Sequence, residues 1–225
     1  FITRMKGNLG SLVFSTYLGG QYADYASGVD LDRDGNIYVS GNTESKDFPT
    51  TTGVLNETSK IGNVETPWGQ TVTAPDIFVS KISSDGTNLI YSTYIAGNHT
   101  DYNQDIAVDD DGYAYVIASV RSPDLPIKNA YESEITGYYD YYIAKLNQNA
   151  SSLEWSTYLG GEDDEWSSEG PTKVDISPSG NIYVAGNAES MDFPTTSGAY
   201  KQSTGSRWLT GTLTAFEDDG DLIFS

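Results

Sequence analysis

Alternating hydrophobic and polar positions mark short β-strands along the whole chain. The hexapeptide STYLGG stands at residues 15–20 and again at 156–161, and a variant, STYIAG, stands at 92–97. Because successive side chains of a strand point to opposite faces, each copy places an aromatic residue, a threonine and an aliphatic residue on one face. These face residues are Phe14, Thr16 and Leu18, then Tyr91, Thr93 and Ile95, then Trp155, Thr157 and Leu159. A helical period is absent from the sequence, and Gly, Asp, Asn and Ser break the pattern about every ten residues, so the sequence predicts an all-β fold.

The surroundings of the hexapeptide recur with it. A strand–turn–strand pattern follows each copy, as in GVDLDRDGNIYVSGN at 28–42 and KVDISPSGNIYVAGN at 173–187. A DFPTT motif and a further strand, FVSKI at 78–82, come next. Each unit therefore holds strand signals of the types SGVDL, IYVSG, IFVSKI and NLIYSTYI. A tandem repeat of short antiparallel strands in groups of four is typical of the blades of a β-propeller.

The repeat boundaries predict the organisation of the chain. We expect a β-propeller segment of about three full blades plus a partial one, because the four-strand pattern is complete three times. The partial blade covers residues 1–20, and full blades cover 21–97, 98–161 and 162–225. The first full blade carries a long inserted loop at 53–75. We expect the SGVDL strand to lie innermost in each blade. The strand that carries the STYLGG or STYIAG motif, called the STY strand below, should lie outermost. We also expect the segment to belong to a longer ring.

The net charge of the chain limits the classes of partner that it is expected to bind. Asp and Glu number 32 against 12 Lys and Arg, which gives a formal net charge of −20. Nucleic acids and anionic membranes attract basic surfaces, so we expect neither nucleic acid nor direct membrane insertion here. The chain has no cysteine, which excludes a disulfide framework.

These motifs together resemble the prokaryotic SBBP-type β-propeller repeat family. The resemblance rests on STYLGG, on GVDLDRDGNIYVSGNTESKDFPTT and on DIFVSKI in the first full repeat, and it returns in the third as VDISPSGNIYVAGNAESMDFPTT. The middle repeat departs from it, with DLPIK where DFPTT is expected. The resemblance implies a large secreted or cell-surface protein of bacteria or archaea, and hence an extracellular or cell-surface location. It implies no particular activity.

A calcium loop is one candidate for chemistry. Asp30, Asp32 and Asp34 form the D-x-D-x-D-G opening of such a loop at residues 30–35. The positions that would supply a further carboxylate hold Tyr38 and Gly41 instead. The preference of hairpin turns for Asp and Gly explains the same residues, so the alternative is a plain turn. We expect no other cofactor.

A carboxylate beside an aromatic residue recurs after each glycine pair and suggests glycan binding. The ring of such a pair can stack on a sugar while the acid bonds to hydroxyl groups, or the acid can simply anchor its loop to backbone amides. The pairs are Asp24 with Tyr25, Asp101 with Tyr102 and Glu165 with Trp166, and Trp68 in the long loop is a further candidate aromatic. Arg4, Lys81 and Lys145 recur on the third strand, where we expect ion pairs between strands or blades.

N-x-S/T sequons predict glycosylation at Asn56, Asn98 and Asn149 in loops or turns. Signals for catalysis are thin, because the chain has a single histidine, His99, and no cysteine nucleophile. We therefore expect no catalytic residues.

Taken together, the sequence favours a non-enzymatic structural or adhesive module of an extracellular cell-surface protein, such as a surface layer, filament or adhesin. Its expected partners are other copies of itself, neighbouring surface-protein domains, and glycans. A carbohydrate-binding propeller module is the alternative, and an extracellular polysaccharide hydrolase or lyase is the third.

Overall fold

All regular structure in the described part of this computed structural model is β-strand. The description covers residues 1–8, 10–65, 69–163, 165, 172–203 and 209–225. The first eight strands are β1 (Ile2–Met5), β2 (Leu12–Thr16), β3 (Asp24–Leu31), β4 (Ile37–Thr43), β5 (Gly62–Glu65), β6 (Thr71–Ala74), β7 (Asp76–Ile82) and β8 (Leu89–Ile95). The rest are β9 (Asp101–Val108), β10 (Ala114–Val120), β11 (Asp140–Leu146), β12 (Leu153–Leu159), β13 (Lys173–Ile176), β14 (Ile182–Ala188), β15 (Thr210–Phe216) and β16 (Leu222–Phe224). The predicted all-β class is confirmed.

The strands form antiparallel sheets in which sequence neighbours pair. The first sheet has the order β3-β4-β7-β8, the second β9-β10-β11-β12 and the third β13-β14-β15-β16. Strands β1 and β2 pair with each other, and β5 and β6 form a separate hairpin inside the long loop of the first sheet. The predicted grouping into four antiparallel strands is confirmed, and the STY strand lies at one edge of the first two sheets.

Tight turns join the strands, and in most of them a glycine takes the left-handed backbone conformation that the chain reversal needs. In the turn between β3 and β4, Gly35 has a φ of 76° and its N–H donates to the carbonyl of Asp32 at 2.9 Å. The turn between β11 and β12 places Ala150, with a φ of 54°, where the corresponding turn of the first sheet has Gly86. Ala150 is fully buried and its carbonyl accepts a hydrogen bond from the N–H of Leu55, which holds the turn in place.

The hydrophobic core lies between successive sheets. One cluster joins side chains of the first and second sheets, including Tyr38 and Tyr142, and another joins the second and third. In the latter, the rings of Trp155 and Phe216 lie 5.8 Å apart. The aromatic position of the STY strand therefore packs against the next sheet, as the alternation predicts.

The opposite face of the STY strand is also covered, which the sequence did not predict. The hydroxyl of Tyr94 donates to the carbonyl of Ser45 at 3.1 Å, and the hydroxyl of Tyr158 donates to that of Ser122 at 2.7 Å. Both tyrosines are buried, whereas Tyr17, at the same position of the hexapeptide and directly after β2, is 92% exposed. The loop that follows the second strand of the first two sheets thus folds over the outer strand of that sheet.

Candidate functional site

Side chains from one sheet hold the loop that enters it from the previous sheet. After β2, three successive backbone N–H groups donate to such side chains: Gly20 to Asp24 Oδ2 at 2.7 Å, Gln21 to Asp47 Oδ1 at 3.0 Å, and Tyr22 to Ser45 Oγ at 2.8 Å. We call the acceptor residues Asp24, Ser45 and Asp47 the first clamp. Because β2 and β4 belong to different sheets, this clamp joins two sheets through hydrogen bonds to two carboxylates and one hydroxyl.

The same arrangement recurs at the two later junctions. The second clamp consists of Asp101, Ser122 and Asp124, and the third of Glu165, Ser190 and Asp192. In the second, the N–H groups of Asn98 and His99 donate to Asp124 Oδ1 at 2.8 Å and to Ser122 Oγ at 2.9 Å. In the third, those of Gly161, Glu162 and Asp163 donate to Glu165 at 3.2 Å, Asp192 at 3.1 Å and Ser190 at 3.1 Å.

The clamps explain why glycine ends the repeated hexapeptide. A Cβ atom at Gly20 would lie 2.5 Å from Asp47 Oδ1, and one at Gly161 would lie 2.6 Å from Ser190 Cβ. At Gly97 it would collide with the side chain of Ser122. Any other residue would therefore push the loop away from its acceptors.

The first acid of each clamp accepts hydrogen bonds from loop residues, which is the loop-anchor role that the sequence left open beside glycan binding. Asp101 is fully buried and accepts hydrogen bonds from the backbone N–H groups of Arg121 and Ser122, both at 3.1 Å, and from Ser122 Oγ at 2.7 Å. Asp24 accepts from the hydroxyls of Thr43 at 2.5 Å and Ser45 at 3.2 Å.

Burial raises the pKa of several carboxyl groups in and near the clamps. Loss of solvent raises the pKa of Asp101 to about 7 and that of Glu165 to about 8. Asp76, at the start of β7, has its pKa raised by burial to about 6, and Glu132 has its pKa raised by burial to about 7. Burial also raises the pKa of Asp140, at the start of β11. The junctions between sheets therefore hold groups that are protonated in mildly acidic solution.

Basic residues contact the tight turns of the sheets. Lys81 Nζ lies 3.0 Å from Asp32 Oδ2, and Lys145 Nζ lies 2.5 Å from Asp218 Oδ1 of the next sheet. The guanidinium of Arg4 donates to the backbone carbonyl of Ser84 at 2.6 Å. The predicted ion pairs are confirmed for Lys81 and Lys145, whereas Arg4 contacts a backbone carbonyl of the adjacent sheet.

The structure uses the candidate calcium residues in different ways. Asp30 accepts hydrogen bonds from the N–H groups of Leu31 at 2.8 Å and Val108 at 2.7 Å. Asp32 pairs with Lys81, while Asp34 is exposed. Within the described residues, no group of three or more His, Cys, Asp or Glu is arranged to hold a metal ion. Calcium at this turn stays a prediction, and the geometry adds no support to it.

Two of the four candidate glycan-binding residues are described by the structure. Tyr25 is 64% exposed, and Tyr102 is partly exposed with its ring 6.5 Å from that of Tyr139. Trp68 and Trp166 lie outside the described residues. Glycan binding by these residues stays a prediction.

The sequon asparagines differ in accessibility. Asn98 and Asn149 are exposed, while Asn56 is half-buried and its side-chain amide donates to the carbonyl of Tyr94 at 3.4 Å. Glycosylation at the three positions stays a prediction.

The sequence analysis missed the serine and the second acid of each clamp. Their signal is an S-x-D spacing that recurs in SKDFP at 45–49, SPDLP at 122–126 and SMDFP at 190–194. The first acid of each clamp is recognisable in the sequence because an aromatic residue follows it. The clamp serine lies more than twenty residues after that acid, as Ser122 does after Asp101, so the sequence gives no local sign that the two side chains meet.

Comparison with known proteins agrees with this architecture. A family model described as SBBP, beta-propeller repeat, matches residues 13–49, the stretch that runs from β2 through all three residues of the first clamp to Pro49. No curated protein matches the chain. A search for helices long and apolar enough to cross a membrane found none in the described residues. By the family match, the chain carries a beta-propeller repeat of the SBBP family at residues 13–49.

Proposed function

We propose that the chain is a β-propeller segment, with three full blades and a partial one, that serves as a non-enzymatic structural or adhesive module of an extracellular cell-surface protein. The observation that carries the proposal is the repeated clamp. Its recurring polar residues, Asp or Glu, Ser and Asp, are engaged in joining one sheet to the next. Such a use of polar residues suits a rigid scaffold.

Sedimentation velocity over a range of concentrations tests the proposal. A structural or adhesive module of this kind is expected to contact other copies of itself, so we expect the chain to associate as its concentration rises. A single monomeric species at every concentration would contradict assembly between copies.

A carbohydrate-binding role is the second candidate, favoured by a row of rings at the loop end. The ring of Tyr139 lies 6.5 Å from that of Tyr102 and 5.2 Å from that of Tyr138. The guanidinium of Arg121 lies 3.9 Å from the centre of the Tyr138 ring. Tyr102 is exposed and Tyr138 and Tyr139 are half-buried, so the row offers a partly exposed aromatic surface on which a sugar can stack. Tyr102→Ala should weaken retention on an immobilised polysaccharide, and unchanged retention would remove this candidate.

A further inference from the structure

A cavity of about 570 Å³ lies between the first clamp and the long inserted loop of the first sheet. Its lining includes Tyr22, Glu44, Asp47 and Asn63. The loop after β2 forms one wall, the segment after β4 forms a second, and the β5–β6 hairpin forms the third. A volume of this size accommodates a ligand of one or two sugar rings.

The walls of the cavity are held in place by hydrogen bonds. The first clamp fixes the backbone of the loop that carries Tyr22, through the 2.8 Å bond from the Tyr22 N–H to Ser45 Oγ. The hairpin is anchored at its base, where the N–H of Lys60 donates to Asp76 Oδ2 at 2.7 Å and Lys60 Nζ contacts Asp124 Oδ2 at 2.8 Å. A preformed cavity binds its ligand without the cost of ordering its own loops.

The side chains around the cavity combine one exposed ring with several free hydrogen-bonding groups. Tyr22 is 70% exposed, and its side chain makes no hydrogen bond within the described part of the chain. Asn63 and Thr73 are directly opposed on the hairpin, so their side chains share one face. Glu44 adds carboxylate oxygens, which are acceptors only, while Asn63 provides both donors and an acceptor.

We propose that this cavity binds an uncharged saccharide of one or two rings. The apolar face of a sugar ring would stack on Tyr22, and its hydroxyl groups would bond to Glu44, Asp47 and Asn63. The lining has two carboxylates and one lysine, Lys46, so it does not favour an anionic ligand. This inference goes beyond the structural role proposed above and does not depend on it.

The site is a feature of the first sheet. At the position of Tyr22, the second sheet has His99 and the third has Asp163, as their equivalent clamp contacts show. Residues 121–139, the corresponding loop of the second sheet, contain no hairpin. The inserted hairpin and the exposed tyrosine therefore occur together where the cavity lies.

Saturation-transfer difference NMR on the full chain tests the inference, with cellobiose, N,N′-diacetylchitobiose and α-mannobiose as probes. We expect saturation transfer to at least one of them. Tyr22→Ala should weaken binding about tenfold, the effect of losing roughly 1.4 kcal/mol of ring contact. Tyr22→Phe should retain binding because it keeps the ring. Asn63→Ala should weaken binding, since it removes a hydrogen-bonding group.

Tyr131→Ala is the matched control, because Tyr131 is an exposed tyrosine of the second sheet. It should bind the probe as the unmodified chain does. The thermal unfolding midpoint of each variant should match that of the unmodified chain, so that lost binding is not lost folding. No saturation transfer to any of the three probes would overturn the proposal, as would equal losses for Tyr22→Ala and Tyr131→Ala. Neither outcome would affect the sedimentation test of assembly.

Discussion

Replacing Asp101 by asparagine tests whether the buried acid of the second clamp is protonated in the folded protein. Burial raises its pKa from 3.8 to about 7. Asparagine has almost the same shape and can accept hydrogen bonds from the N–H groups of Arg121 and Ser122 through Oδ1. Its amide can donate to Ser122 Oγ, a hydroxyl that accepts as readily as it donates. Asp101→Asn should therefore preserve the clamp while removing the ionisation.

The effect of this substitution should grow with pH. Because the folded-state pKa lies above the unfolded one, the stability contributed by protonated Asp101 is fully present below about pH 4 and is lost as the pH rises through 7. A shift of about three pKa units corresponds to about 4 kcal/mol. We expect Asp101→Asn and the unmodified chain to be similarly stable near pH 4. Above about pH 7 the variant should be more stable by up to about 4 kcal/mol.

Urea unfolding followed by circular dichroism at acidic, neutral and alkaline pH measures this difference. Asp111→Asn is the matched control, because Asp111 is exposed. Its stability should track that of the unmodified chain within about 0.5 kcal/mol at every pH. If Asp101→Asn is less stable than the unmodified chain above about pH 7, the carboxylate is ionised and stabilising, and the reasoning is refuted.

Three further predictions concern a glycine at a clamp, an ion pair and the sequons. Gly97→Ala should destabilise the chain by about 1–3 kcal/mol, because its Cβ would collide with the clamp serine, and an unchanged thermal midpoint would contradict this. Lys145→Met should cost about 1–2 kcal/mol, because it removes the pair with an exposed carboxylate between two sheets; equal urea midpoints would speak against that contribution. In a host that glycosylates N-x-S/T sequons, mass spectrometry of glycopeptides should find sugar at the exposed Asn98 and Asn149 and not at the half-buried Asn56. Full occupancy of Asn56 would contradict this expectation, because it would show that Asn56 is accessible to the glycosylating enzyme.

The strands and their order were predictable from sequence because each is short, alternating and bounded by a turn. The DRDGN turn, for example, predicts the reversal that places Leu31 opposite Ile37. The strand faces also followed from alternation, as the contact of Trp155 with Phe216 shows. Strand and turn patterns depend on residues that are close together in the chain, so they can be predicted from the sequence alone.

The covering loops and the clamps could not be derived in the same way, because they depend on contacts between distant residues. Tyr158 gives no local sign that the carbonyl of Ser122 will accept its hydroxyl proton. The β5–β6 hairpin was predicted only as a long loop, since its segments GNVE and TVTA are short and largely exposed. The cavity beside Tyr22 depends on the first clamp and on the β5–β6 hairpin, and the sequence analysis did not select Tyr22.

The position of the buried acids decides which part of the protein responds to pH. Asp101 and Glu165 are fully buried. Glu165 accepts a hydrogen bond from the N–H of Gly161, in the loop between the second and third sheets, and Asp101 accepts from the N–H and the hydroxyl of Ser122, the serine that holds the loop between the first and second sheets. The pairing within each sheet, in contrast, uses backbone groups that do not titrate. Ionisation of these acids above about pH 7–8 therefore weakens the junctions between sheets before it affects the sheets themselves. It also means that the folded chain carries less negative charge than its formal −20 in mildly acidic solution, because these groups hold protons there. In an assembly that shares the same clamps, the joints between sheets would be tightest in mildly acidic solution and would loosen together as the pH rises.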